Sequence, residues 1–404
     1  MAESSVRPSS PGGYYEFFAG GGMVRAGLGQ AWQCLFANDF DPAKAAAYEA
    51  NWGGADLRVG DIADLTAADL PGTADLMWGS FPCQDLSLAG VGAGLGGKRS
   101  GTFHTFWDLA RSLAAEGRAP RIVAVENVCG ALTSHDGRDF EAICRTYADA
   151  GYRCGALVIN ADRFLPQSRP RLFVIGIRED AACEPELTTP RASGPFHPLA
   201  VQRAVERLPA GLRERMVWWH LPEPETGHAG LASVIEPEPD GVAWHSEAET
   251  NRLLSLMSPR NLAKVEAARR SGEPCVGGLY RRTRRNAEGL RVQRAEVRFD
   301  IAGCLRTPGG GSSRQTLVVV EDGRIRSRLM SARETARLMG LPETYRLPPS
   351  YSAACHLTGD GVAVPVVRHL AHWLLEPLLA GSPPGRRVDE ALAKAVPGRI
   401  IASG

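Results

Sequence analysis

Several common features are missing from this sequence, and each absence narrows what the protein can be. No apolar run reaches about 18 residues, so a membrane span is not expected. Residues 1–13 are polar and rich in serine and proline. They lack the apolar stretch of a signal peptide and read as a disordered N-terminus. The nine cysteines include no Cys-x-x-Cys pair and no metal-ligand spacing. No metal is therefore expected, and without a secretion signal the cysteines read as reduced thiols of a cytoplasmic protein. Net charge is also scarce, only +1 over 404 residues. That balance hides an asymmetry: residues 251–330 hold 17 Lys/Arg against 7 Asp/Glu, a net +10, which leaves −9 for the remainder. Sixteen of the 17 are arginines, the side chain suited to phosphate and guanine, so the segment points to a polyanionic partner. A solvated surface with scattered ion pairs is the plainer reading; the run Arg281-Arg282-Thr283-Arg284-Arg285 weakens it.

The length allows two domains, or one with an insertion, and 44% apolar residues suffice for a core. The central stretch is Gly79-Ser80-Phe81-Pro82-Cys83-Gln84-Asp85-Leu86-Ser87. It follows an apolar run, Ala74 to Trp78, that reads as a buried strand. Cys83 is thus expected at the C-terminal edge of a strand, where open α/β sheets bind their ligands. The glycine-rich stretch 89–97 then reads as a mobile loop able to close over it. A fixed thiol beneath a lid suggests covalent catalysis; a buried, inert cysteine is the alternative.

Before this stretch, an aromatic strand at Tyr14 to Phe18 leads into Ala19-Gly20-Gly21-Gly22 and a helix. A second strand, Cys34 to Ala37, ends at Asn38-Asp39-Phe40. Strand, glycine turn, helix, then an acid 17 residues after Gly22 is the pattern of a nucleotide-type site, with Asp39 placed for ribose hydroxyls. Asp61 and Glu126 are further acids at strand ends. Strands and helices alternate over the first 180 residues, which predicts a doubly wound α/β sheet. From Thr188 the periodicity fails, and helical patterning returns only at Ser331 to Leu338 and Val364 to Leu379. The glycine loop near 306–315, with Arg306 and Arg314, could lie along a DNA groove or be a long hairpin loop.

The order of the pieces closely resembles the DNA (cytosine-5)-methyltransferase family, in its bacterial restriction-modification form. The matching residues are Phe18-Ala19-Gly20-Gly21-Gly22, Asn38-Asp39-Phe40, Gly60-Asp61-Ile62, Phe81-Pro82-Cys83-Gln84, Glu126-Asn127-Val128 and Gln167-Ser168-Arg169-Pro170-Arg171. After a variable region come Arg333 to Pro342 and Gly359-Asp360-Gly361-Val362. Met23 and Asp360 depart from the family's usual glycine and asparagine.

The resemblance implies a Rossmann-like methyltransferase sheet over 14–188, an irregular target-recognition domain over 189–328, a return to the catalytic domain over 329–380 and a tail over 381–404. It implies S-adenosyl-L-methionine as methyl donor, held by Phe18, Gly20, Gly22, Asp39, Phe40, Asp61, Ile62, Pro82 and Val362. Cys83 would be the nucleophile, Glu126 would bind the cytosine amino group and ring nitrogen 3, and Arg171, with Arg169 nearby, would stabilise charge at the carbonyl. Asn127 would orient the turn before Cys83. A lid from Gln84 to Gly101 would close behind a flipped base, with Gln84 and Ser87 touching DNA. Arg281, Arg282, Arg284, Arg285, Arg306 and Arg314 would supply the other DNA contacts. The partners implied are duplex DNA and a restriction endonuclease of the same site, with the enzyme monomeric and nucleoid-associated in a prokaryote. Two alternatives stay open: a transfer-RNA cytosine-5 methyltransferase on the same scaffold, and a DNA-binding protein with an inactive core.

Overall fold

The computed structural model describes residues 12–81, 101–225, 227–285, 289–307 and 314–380. Its centre is a seven-stranded sheet of β1 (Gly12–Phe17), β2 (Trp32–Asp39), β3 (Leu57–Val59), β4 (Leu76–Ser80), β5 (Ile122–Val128), β6 (Tyr152–Asn160) and β7 (Pro170–Arg178), in the order β3-β2-β1-β4-β5-β7-β6. The strands expected from the sequence are all present, and β1 begins at Gly12, inside the stretch expected to be disordered. β1 to β5 pair in parallel; β7 runs antiparallel between β5 and β6. The short link from Asn160 to Pro170 holds no crossover helix, so β6 and β7 form an antiparallel pair.

Side-chain alternation along these strands fills two cores. On one face Tyr14, Trp78, Ala124 and Ile175 pack with the helices Met23–Leu28 and Val364–Leu370. On the other, Tyr15, Phe17, Met77 and Val125 pack with the helices Gly101–Ala115 and Arg138–Asp149. The loss of periodicity at Thr188 does not mark the edge of the core. β8 (Thr188–Thr189) pairs with β9 (Trp218–Trp219), and Val201, Ala204 and Val205 of the helix Leu199–Glu206 are buried in the second core.

The region expected to be irregular holds a second sheet. β10 (Cys275–Arg285), β11 (Arg291–Phe299), β12 (Thr316–Glu321) and β13 (Arg324–Leu329) run antiparallel in the order β11-β10-β12-β13. Val318 and Val320 face a small core with Val265 of the helix Pro259–Ser271, while Leu317 and Val319 join the main core. β12 is thus buried on both faces, which explains its unbroken Leu-Val-Val-Val run.

The junction with the C-terminal segment is polar and closed. Arg328 and Glu334, both fully buried, pair at 2.6 Å, and Arg328 also donates to the Glu236 carbonyl at 3.1 Å. Ser331 caps the helix Ala332–Arg337, accepting from the Glu334 N–H while Glu334 accepts from the Ser331 N–H. No helix among the described residues is long and apolar enough to cross a membrane.

Candidate active site

The C-terminal ends of β1, β2, β4 and β5 share one edge of the sheet. The register places Phe17 between Asn38 and Gly79, and Ser80 beside Glu126. Because β7 is antiparallel, its first residues enter at this same edge, with Arg171 opposite Val128.

Beyond β1 the chain turns through Phe18 to Gly22. Gly20 and Gly22 take left-handed conformations, φ 56° and 77°, and Phe18 adopts φ 60° without glycine's freedom. Trp52 Nε1 and Tyr345 Oη donate to the Gly21 carbonyl at 3.0 and 2.7 Å, fixing the turn from two sides. Asp39 accepts from the Gly20 N–H at 2.7 Å and from the Asp41 N–H at 2.8 Å. Burial pushes the Asp39 carboxyl above its ordinary range, and these two N–H groups oppose the shift.

A cleft of ≈ 760 Å³ opens on this edge. Phe18, Gly20, Asp39, Phe40 and Val362 line it, and Phe40 is 67% exposed. Gly22, Asp61 and Ile62 are not among its lining residues. Gly22 instead packs under Trp52, Asp61 caps the turn that follows by accepting from the Ala63 N–H at 2.9 Å, and Ile62 is buried in the second core. Pro82, Cys83, Gln84, Ser87 and all of the expected lid except Gly101 lie outside the described residues.

Glu16 is a cleft residue that the sequence reading passed over. It is 1% exposed, lines the cleft, and neither carboxylate oxygen has a hydrogen-bond partner. Burial pushes its pKa up to about 8, against the pull of Arg25. Its only sequence signal is an acid inside the apolar run Tyr14 to Phe18.

At the other end of the cleft Arg171 Nε meets Glu126 Oε1 at 3.1 Å. Burial raises the Glu126 pKa, and Arg171 and then Arg169 oppose that shift. Arg171 also donates to the Pro170 carbonyl at 3.0 Å, and its two terminal nitrogens lie 3.7 Å from Cys304 Sγ. Asn127 donates to the Phe81 carbonyl at 3.0 Å, which anchors the last described residue before Pro82.

Arg169 corrects the sequence expectation. Its guanidinium is buried at the seam and donates to the carbonyls of Leu305 at 2.9 Å, Gly359 at 2.8 Å and Gly361 at 2.6 Å. Turning toward a substrate would strip donors from three carbonyls, so it holds segments together rather than stabilising charge in a reaction. Gln167 works beside it, donating to the Leu338 carbonyl at 2.6 Å and accepting from the Leu305 N–H at 3.1 Å. Gly359 is required here: a Cβ would fall 2.6 Å from the Arg306 backbone.

A second cavity, ≈ 330 Å³, shares Cys304 and Arg306 with the cleft. Arg281, Arg282, Arg298, Arg306 and Arg314 line it with one carboxylate, Glu296. Arg298 was not foreseen, because it stands apart from the arginine run in sequence and reaches the cavity only through the pairing of β11 with β10, where it lies opposite Gly278. Arg284 and Arg285 lie in β10, and Arg285 is not among the lining residues. No cluster of metal-ligating side chains occurs among the described residues.

The model of the C-5 cytosine-specific DNA methylase family matches residues 14–376. Type II methyltransferase M.NlaX of Neisseria lactamica is 27% identical over 372 residues, covering 91% of this chain and 97% of its own length. Type II methyltransferase M.HhaI of Haemophilus parahaemolyticus is 27% identical, covering 89% and 93%. Among solved structures, the Schizosaccharomyces pombe Dnmt2 methyltransferase has a TM-score of 0.56 at 18% identity, covering 91% of this chain and 99% of its own, a likeness of fold. The chain belongs to the C-5 cytosine-specific DNA methylase family.

Proposed function

We propose that the protein methylates carbon 5 of cytosine at a specific site in duplex DNA, as the modification enzyme of a restriction-modification pair. The observation that carries this reading is the Glu126–Arg171 pair, buried at the end of the cleft and beside the Phe81 carbonyl that Asn127 holds. Cys83 is two residues beyond Phe81 in the sequence.

The donor set fits S-adenosylmethionine. Glu16 offers a buried carboxyl without a partner, which a bound cation would hold ionised, Asp39 has lone pairs left for hydroxyls, and exposed Phe40 offers a face to a flat ring. Val362, Phe18 and Gly20 complete the wall. When bound, that cofactor supplies the methyl group.

The chain's own residues supply the rest. The Cys83 thiolate adds to carbon 6 of cytosine, which turns carbon 5 into the nucleophile. Glu126 holds the exocyclic amino group and, with its raised pKa, can carry the proton that ring nitrogen 3 takes up as the sulfur adds. Arg171 fixes Glu126 through Nε and keeps positive charge beside the carbonyl side of the base. A base then takes the carbon 5 proton, and the Cys83 sulfur leaves. The flipped cytosine reaches the cleft from the arginine-lined cavity, whose guanidiniums would meet the flanking phosphates.

The test is bisulfite sequencing of DNA and transfer RNA from a methylation-free host expressing the chain, beside Cys83→Ala. Protection at one short DNA motif, lost in the variant, is expected. Protection confined to transfer RNA, or unchanged in Cys83→Ala, would refute the reading.

A further inference from the structure

Lys44 and Asp360 are 316 positions apart in sequence, yet Lys44 Nζ lies 2.6 Å from Asp360 Oδ2. Both line the cleft. Lys44 sits in the helix Pro42–Trp52, which starts just after Asp39 and Phe40. Asp360 ends the helix Tyr351–Asp360, next to Gly361 and Val362. The pair therefore joins the two walls expected to hold the cofactor. The far end of the Pro42–Trp52 helix is tied separately, because Asn51 donates to the Arg346 carbonyl at 2.9 Å and accepts from the Arg346 N–H at 2.8 Å.

The local charge balance is uneven. Three carboxylates, those of Asp360, Asp39 and Asp41, act on the Lys44 ammonium. Burial disfavours the Lys44 charge, and these three together outweigh burial, so the ammonium is held above its ordinary range. Asp41 is occupied as the cap of its own helix, accepting from the Ala43 and Lys44 N–H groups. Asp39 is held by the Gly20 turn. Lys44 is thus the cation that lets Asp360 approach the wall carrying Asp39.

We propose that the Lys44–Asp360 pair is a clasp that sets the separation of the two cofactor-bearing walls, so that both are positioning residues for an adenosyl ligand. The proposal rests on the cofactor reading above. Because Lys44 neutralises three carboxylates, its loss alone should cost more than the loss of Lys44 and Asp360 together. Lys44→Met removes the one ammonium on which Asp360, Asp39 and Asp41 all act. Asp360→Asn keeps an acceptor for Lys44 and removes one of those three negative charges. The double variant removes both charges.

The test is calorimetric titration of the full chain with S-adenosylhomocysteine, for the wild type, Lys44→Met, Asp360→Asn and the double variant. Melting of each ligand-free protein serves as the control. Lys44→Met is expected to weaken binding about fivefold to tenfold, and Asp360→Asn less than about twofold. The double variant should return to within about threefold of wild type. Ligand-free melting temperatures should stay within about 2 °C of one another, as suits a pair on a rim. Lys44→Met binding as tightly as wild type would overturn the clasp. So would a double variant as weak as Lys44→Met, since Lys44 would then act on the ligand itself. A wild-type chain that takes up no ligand would remove the cofactor reading, and the clasp with it.

Discussion

Glu16→Gln replaces a fully buried carboxyl with an amide of nearly the same shape and removes one titration. The folded carboxyl is raised to about 8, from the 4.5 of an ordinary glutamate. At about 1.36 kcal/mol per pKa unit, the difference amounts to roughly 5 kcal/mol. The sign follows from where the proton sits. Below the unfolded value the carboxyl is neutral in both states, and its contribution to stability is fully present. As pH rises from there, the unfolded chain releases the proton while the folded chain keeps it, so stability falls until pH passes the folded value. Urea unfolding of the ligand-free protein at about pH 5, 7 and 9 measures this. The stability of wild type relative to Glu16→Gln should fall by roughly 4 kcal/mol between pH 5 and pH 9. Other titrating groups, Asp39 among them, are common to both proteins and largely cancel in the difference. Parallel pH profiles for the two proteins would refute the reasoning, since Glu16 would then be ionised and neutralised in the folded state.

Two further outcomes test the site's surroundings. Arg169→Met should cost about 3–5 kcal/mol of unfolding free energy, because three buried carbonyls lose their donor; a drop in turnover with stability unchanged would instead put Arg169 on the substrate. Arg282→Ala with Arg298→Ala should lower the slope of log affinity against log salt by about 2, read by fluorescence anisotropy with duplex DNA, and an unchanged slope would remove the arginine-lined cavity from the DNA interface.

Much of the catalytic half was legible because its signals are local. Short apolar runs marked the strands of the main sheet apart from the three-residue β3, and Asp39 was readable as an acid at the end of a strand after a glycine turn. The second sheet was not legible. β10 carries Gly277 and Gly278 and then four arginines, so neither an apolar run nor a clean alternation announces a strand. Arg169 and Arg171 look equivalent in sequence, but Pro170 begins β7 between them, so one turns into the seam and the other meets Glu126.

The sequence by itself determined the local elements, the glycine turn and the residue types available at the sheet's edge, because hydrophobic period, turn chemistry and side-chain chemistry act over a few residues. Tertiary structure alone decided which of those residues meet. It inserted β7 antiparallel beside β5 and so brought Arg171 to Glu126. It left Glu16 buried without a partner, brought Arg298 and Arg282 to one cavity and closed Lys44 on Asp360. These are matters of strand order and long-range packing, and neither leaves a mark on the residues nearby in sequence.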